Sequence, residues 1–230
     1  MRAKRSFSLS RLLLHLGLTL IGLFVLLQSF YFVQVLWFRV ADPEQSAFMA
    51  EQAKQVQPIK HQPVAYQQIA VHLKRAVIAA EDQRFDKHDG IDWDAIEKAW
   101  MQNRDKGRVV RGGSTITQQL AKNLFLSGER SYWRKAQEAL ITLMIEAVMD
   151  KQRILHLYLN YAEWGIGIFG AQAAAKHYFG ISASQLNAYQ AARLAAMLPR
   201  PRHYDKHRDS AFLASRTEFV LRWMPQMQLP

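Results

Sequence analysis

Hydrophobic and polar positions divide the chain into three stretches. From Leu12 to Phe38 there is no Asp, Glu, Lys or Arg, and this run exceeds the ~20 apolar residues that cross a bilayer. Tyr31, Trp37 and Phe38 crowd its far end as interfacial aromatics do. Arg2, Lys4, Arg5 and Arg11 precede it, and only Arg39 follows closely. The pattern predicts a basic cytoplasmic N-terminus over 1–11 and a transmembrane helix over 12–38, with the rest of the chain on the far side. A cleaved signal peptide is the alternative, but its apolar region runs to only ~7–15 residues and no clear A-x-A site follows. Residues 39–65 mix Gln, Pro and charge with little periodicity and read as a stalk, leaving 66–230 as the folded domain.

Within that domain the apolar positions recur at helical spacing. Ile69, Leu73, Ala76, Val77 and Ala80 form a stripe that ends at Glu81-Asp82. Asp92 N-caps a helix with Trp93, Ile96 and Trp100 on one side, and Thr115 with Gln118 has capping-box spacing. Gly128 breaks that helix. Ser131 to Asp150 reads as a long helix with Leu140, Leu143, Met144, Ala147 and Val148 on one side, and Ile154, Leu155, Tyr158 and Leu159 continue the pattern. Gly165, Gly167 and Gly170 interrupt it. Two further helices are expected near 171–178 and 184–198, the second opened by Ser182 with Gln185 and stopped by Pro199 and Pro201. No strand series or internal repeat is visible, so the fold class is mainly α.

Charge narrows the function classes. Thirty Lys and Arg against 19 Asp and Glu give +11. The first 39 residues hold five of the positive charges and no negative one, so the remainder keeps +6. Such a surface seeks phosphate. On the far side of a membrane its partner is a lipid or a charged substrate, with no nucleic acid expected. The absence of cysteine excludes disulfides, thiolate metal sites and cysteine nucleophiles.

Three clusters carry candidate chemistry. Glu81 stands where an apolar stripe meets a polar turn; lost hydration raises a carboxylate towards a useful general-base pKa, though a solvated helix end has the same pattern. Gly112 to Asn123 (GGSTITQQLAKN) couples glycines to a helix N-terminus, with Ser114, Thr115 and Thr117 as hydroxyls and Lys122 and Arg130 as cations. It lacks P-loop spacing, and a well-capped ordinary helix is the plain reading. Arg134, Lys135 and Glu138 share one helix face, as either a surface ion pair or part of a site. His203 and His207 lie four apart without the glutamate of a zinc helix, which argues against a metal there.

Together these stretches resemble the family 51 glycosyltransferases, which polymerise peptidoglycan. Glu81-Asp82-Gln83-Arg84-Phe85-x-x-His88-x-Gly90 is similar to the first family motif and Gly112–Asn123 to the second. Arg134-Lys135-x-x-Glu138-Ala139 is similar to the third, Lys151-x-x-Ile154-Leu155-x-x-Tyr158-Leu159-Asn160 to the fourth, and Arg193 to Pro201 to the fifth. All five occur in family order. Ala162-Glu163-Trp164-Gly165, with no transpeptidase domain expected after Pro230, resembles the monofunctional branch. His156 departs from the fourth motif, where glutamate is expected; the resemblance makes that motif mainly structural, so little effect on chemistry is expected.

The resemblance implies a lysozyme-like helical head with a small flexible lobe near the membrane, where lipid substrate enters. It implies that lipid II and a lipid-linked glycan chain are joined, with loss of undecaprenyl pyrophosphate and inversion. Glu81 is then the general base, and Glu138 belongs to the site of the donor pyrophosphate or its metal. Phe85, Ser114, Thr115, Gln118, Gln119, Lys122, Asn123, Arg130, Arg134 and Lys135 are the implied substrate-binding residues. A divalent cation, Mg²⁺ or Mn²⁺, is the implied cofactor, and other cell-wall synthesis or division proteins are conceivable partners. The implied location is the inner membrane, with the catalytic domain periplasmic. A glycan-cleaving enzyme is the nearest rival, and a non-catalytic wall-binding scaffold is the other. Cleavage needs a general acid but no pyrophosphate site, so the Lys/Arg cluster favours synthesis.

Overall fold

A computed structural model describes residues 9–107, 113–126, 128 and 131–230. The chain divides into two units, 1–41 and 42–230. The first contains one helix, α1 (Leu9–Phe38), with a mean hydropathy of 2.1 in its most apolar window. It is long and apolar enough to cross a membrane.

The second unit runs α2 (Ala47–Gln52), β1 (Lys60–His61), α3 (Val71–Glu81), α4 (Trp93–Asp105), α5 (Ile116–Phe125), α6 (Tyr132–Val148), α7 (Lys151–Tyr161), β2 (Glu163–Gly165), β3 (Ile168–Phe169), α8 (Ala171–Phe179), α9 (Ala188–Met197), α10 (Pro201–Lys206) and α11 (Ala211–Trp223). Side-chain caps fix the starts of several helices. Asp92 accepts from the Ala95 N–H, Ser131 from Arg134 and Asp150 from Arg153, each satisfying a donor that the helix itself leaves free. Thr115 and Gln118 close the predicted capping box.

Two neighbourhoods form the core. Helix α5 is buried nearly all round and packs against α2, α6 and α7. Helix α9 is rich in alanine (Ala191, Ala192, Ala195 and Ala196 are all enclosed), which lets it pack closely between α3 and α11. The three glycines at 165–170 do not merely interrupt a helix. They make a small sheet in which β3 pairs parallel with β1, Lys60 opposite Ile168, and antiparallel with β2, Glu163 opposite Phe169. Gly170 has φ +83, and a Cβ there would lie 2.6 Å from the Asn160 carbonyl oxygen, so neither the conformation nor the space admits a side chain.

The structure corrects the sequence reading in four places. The segment read as a stalk is folded from Asp42 onward. Asp42 pairs with Arg153 at 2.6 Å, the Tyr161 hydroxyl donates to the Pro43 carbonyl, Ser46 caps α2, and β1 enters the sheet. Both backbone groups of Val64 are claimed by the Asn160 amide. His156, the departure in the fourth motif, donates from Nε2 to the Val64 carbonyl and accepts at Nδ1 from Arg153. It too holds this segment down. Second, α6 buries Glu138, Ile141, Thr142 and Ile145, leaving the predicted apolar stripe of Leu140 and Leu143 exposed. The site claims the polar residues, so the stripe turns outward. Helix α4 does the same, with Trp93 and Trp100 exposed. Third, Ser182 and Gln185 close a box around one 3-10 turn only, and Asn187 with Gln190 opens α9. Fourth, Pro201 starts α10 at its first position, where proline fits, and α11 follows.

Candidate active site

A cleft of about 1110 Å³ opens between α3, α4, the start of α5 and α11. Glu81 lies in its wall as the last residue of α3. The Gln119 amide donates to Glu81 Oε2 at 2.8 Å, and the Tyr158 hydroxyl donates to Gln119 Oε1 at 2.8 Å. Tyr158 thus fixes which end of the amide faces the acid. Oε1 of Glu81 is buried with no hydrogen-bond donor among the described residues, and the Arg216 guanidinium stands 3.5 Å away. Burial pushes the Glu81 pKa up, against the opposing pull of Gln119 and Arg216. A carboxyl so placed has one oxygen held by an amide and the other without a hydrogen bond among the described residues, beside a guanidinium.

Asp82, next in sequence, has a supporting role. Its carboxylate accepts from His88 Nε2 at 3.0 Å and from the Ile116 N–H at 3.0 Å, tying the turn after α3 to the N-terminus of α5. His88 accepts in turn from the Gly90 N–H, and Thr115 donates to the Gly90 carbonyl. Lys151 reaches both the His88 carbonyl and Glu146, and Glu146 also accepts from Thr117. The first, second and fourth motifs therefore form one hydrogen-bonded frame beneath the cleft.

A cationic cluster lies along α5 and α6. Glu138 is 3% exposed and accepts from Arg134 at 2.7 Å and from Lys135. Lys135 also reaches Ser114 Oγ at 3.3 Å. The Lys122 ammonium makes no hydrogen bond or ion pair among the described residues and sits 5.9 Å from the centre of the Phe48 ring. Burial lowers its pKa, while Glu138 and Glu163 pull the other way. Arg202 binds both oxygens of Glu163 from Nε, at 2.9 and 3.0 Å, and its guanidinium also faces Phe48. Arg134 Nε and Arg202 Nη2 are buried without an acceptor among the described residues. Buried donors left unpaired are costly, and an anionic ligand would satisfy them.

The predicted residues thus separate. Glu81, Gln119 and Ser114 line the cleft, whereas Lys122, Arg134, Lys135 and Glu138 build the cationic cluster. Thr115 and Gln118 spend their polar atoms on each other and on Gly90. Phe85 is fully enclosed, its ring centre 4.8 Å from the Lys151 ammonium, and packs within the frame. Asn123 is buried within α5. Arg130 and the basic loop at 108–112 lie outside the described residues. Sequence reasoning missed Arg216 and Arg202, which follow the last motif. It also missed the role of Phe48 in the supposed stalk.

The divalent cation fits poorly as a protein-held group. Both Glu138 oxygens are engaged by cations, whose charge repels a metal. Among the described residues, Asp82, His88 and Asp92 bring ligand atoms within 4.8 Å of one another, but Asp82 is committed to His88 and Ile116 and Asp92 to its helix cap.

The model of the transglycosylase family matches residues 47–225. A protein named biosynthetic peptidoglycan transglycosylase from Herminiimonas arsenicoxydans is 54% identical over 228 residues, 96% of this chain and 99% of that protein. Another of the same name from Bordetella avium (strain 197N) is 55% identical over 223 residues, 93% of each chain. A third, from Laribacter hongkongensis (strain HLHK9), is 49% identical over 217 residues, 92% of this chain and 95% of that protein.

Proposed function

The chain belongs to the transglycosylase family, and from that membership we propose how its residues share the work of a peptidoglycan glycosyltransferase. The enzyme serves cell-wall synthesis, polymerising lipid II into glycan strands. Glu81 takes the proton of the acceptor sugar's 4-hydroxyl. Its raised pKa makes it a stronger base than an exposed glutamate, and Gln119, oriented by Tyr158, keeps one oxygen in place. The hydroxyl oxygen then bonds to C1 of the donor sugar as the bond from C1 to the pyrophosphate oxygen breaks, and C1 inverts. The transition state places positive charge on the sugar and negative charge on the leaving pyrophosphate.

Lys122, Lys135 and Arg134 stabilise that leaving charge, with Ser114 beside them and Arg130 as a further candidate. Glu138 holds Arg134 and Lys135 in position between turnovers. Preorganised cations in a site shielded from water lower the barrier without reorganising during the reaction. We route no step through a metal ion. The observation that carries this reading is the Lys122 ammonium without a partner among the described residues, with Arg134 Nε and Arg202 Nη2 buried without acceptors, within electrostatic reach of the buried Glu81 through Lys122. Glycan cleavage would have no use for those donors.

In this reading α1 is a single-pass anchor, with the basic residues before it on the cytoplasmic side and the catalytic unit in the periplasm. In the same reading the exposed Trp93 and Trp100 of α4, and Tyr132 and Trp133 at the start of α6, are the side chains offered to the lipid of the substrate. Purified full-length protein given labelled lipid II should yield long glycan. Digestion of existing glycan with no polymer made would establish the lytic reading instead.

A further inference from the structure

Helix α11 carries Phe212, Arg216 and Phe219 on one face, because residues four and seven apart return to the same side of a helix. All three line the cleft that holds Glu81. Arg216 has its partners in Glu81 and the Ala80 carbonyl. The two phenylalanines are not explained by core packing, since Phe212 is 66% and Phe219 44% exposed. Each is nonetheless held by a neighbouring ring. Phe212 lies parallel to the buried Tyr204, centroids 6.5 Å apart and planes 6° apart. Phe219 meets Trp223 at 6.3 Å and 46°.

We propose that Phe212 and Phe219 form a stacking platform for the pyranose rings of a glycan strand. The axial C–H bonds of a pyranose present partial positive charge, which the negative face of an aromatic ring attracts. Seven helical residues rise ~10.5 Å, close to the length of one disaccharide repeat in a β-1,4-linked strand. The same kind of sugar therefore meets both rings. The alternate sugars carry a bulky lactyl-peptide arm, so the rings take the sugars without it. A lipid chain is the poorer occupant. The two rings are separated by a guanidinium and rimmed by Arg200, His203 and Ser210, and this mixture of aromatic faces with polar groups suits a sugar rather than an alkyl chain. The inference rests on the transferase reading for its choice of occupant.

The test uses full-length protein in detergent, as wild type, Phe212→Ala, Phe219→Ala, Phe212→Leu and the ring-preserving Phe212→Tyr. Two quantities are measured: the length of strands made from lipid II, and the affinity for a lipid-free glycan tetrasaccharide. Each alanine variant should bind the tetrasaccharide about three- to tenfold more weakly and make shorter strands. Phe212→Leu, which keeps an apolar side chain, should behave like the alanine variant, and Phe212→Tyr like wild type. Unchanged affinity and strand length in folded Phe212→Leu and Phe219→Ala would overturn the platform. So would intact tetrasaccharide binding with lost binding to phosphatidylglycerol vesicles, which would assign the rings to lipid. Wild-type protein that binds the tetrasaccharide but polymerises no lipid II would refute the transferase reading while leaving the platform in place.

Discussion

At the scale of single residues, the chemistry depends on what surrounds two charges. Glu81→Gln keeps the shape and the contact with Gln119 but cannot accept a proton, so polymerisation should fall by ~10²–10⁴-fold with the fold intact. Near-wild-type synthesis would remove Glu81 from the base role. Because burial raises the Glu81 pKa, the base is lost to protonation as pH falls through a value above the ordinary glutamate range, and the acid limb of kcat/KM should report it. Arg216 opposes that shift. Arg216→Met should therefore move the acid limb to higher pH, whereas an unmoved limb would show that Arg216 does not act on Glu81. Lys122 has a pKa depressed by burial, so it loses its charge below the ordinary lysine range and the alkaline limb should come early. Lys122→Ala should impair use of the pyrophosphate-linked donor more than stability. A drop in melting temperature with normal turnover would make Lys122 structural.

At the scale of elements, Asp82 joins the end of α3 to the start of α5. Asp82→Ala removes two charge-assisted hydrogen bonds and leaves the Ile116 N–H without its acceptor. A loss of about 1.5–3 kcal/mol is expected, read as a lower urea midpoint at unchanged slope. A smaller loss would mean that the N-terminus of α5 finds another acceptor. Local signals made these helices legible. Asp92, Thr115 and Ser131 are caps with a chemical reason to be where they are, and the α3 stripe faces inward as its spacing demands. The outward stripes of α4 and α6 were not legible, because an apolar periodicity shows that a face exists and not what covers it. The segment 42–65 was illegible for a related reason. Asp42, Pro43 and Val64 are held by Arg153, Tyr161, Asn160 and His156, about a hundred residues away, and long-range pairing leaves no local period. In the site, Glu81, Gln119 and Lys122 were visible through motif spacing, but Arg202 and Arg216 lie beyond the last motif.

At the scale of the whole molecule, the folded unit begins near Asp42 rather than Tyr66. A chain starting at Asp42 should fold and polymerise lipid II in detergent, with lower activity in bilayers because α1 no longer holds it at the surface. A chain starting at Tyr66 loses the Asp42–Arg153 pair, the β1 strand and Phe48, and should show markedly lower thermal stability. Equal melting temperatures for the two would restore the stalk. The meeting of Glu81 and Arg216 has a consequence for how the protein is made. Ribosomes deliver the acid first, and its guanidinium partner arrives only with α11, after every other helix. A nascent chain that has passed α6 but not reached residue 211 carries the cations of α5 and α6 and the acid itself, but one wall of the cleft is absent. The cleft therefore becomes complete only when the final helix has been made.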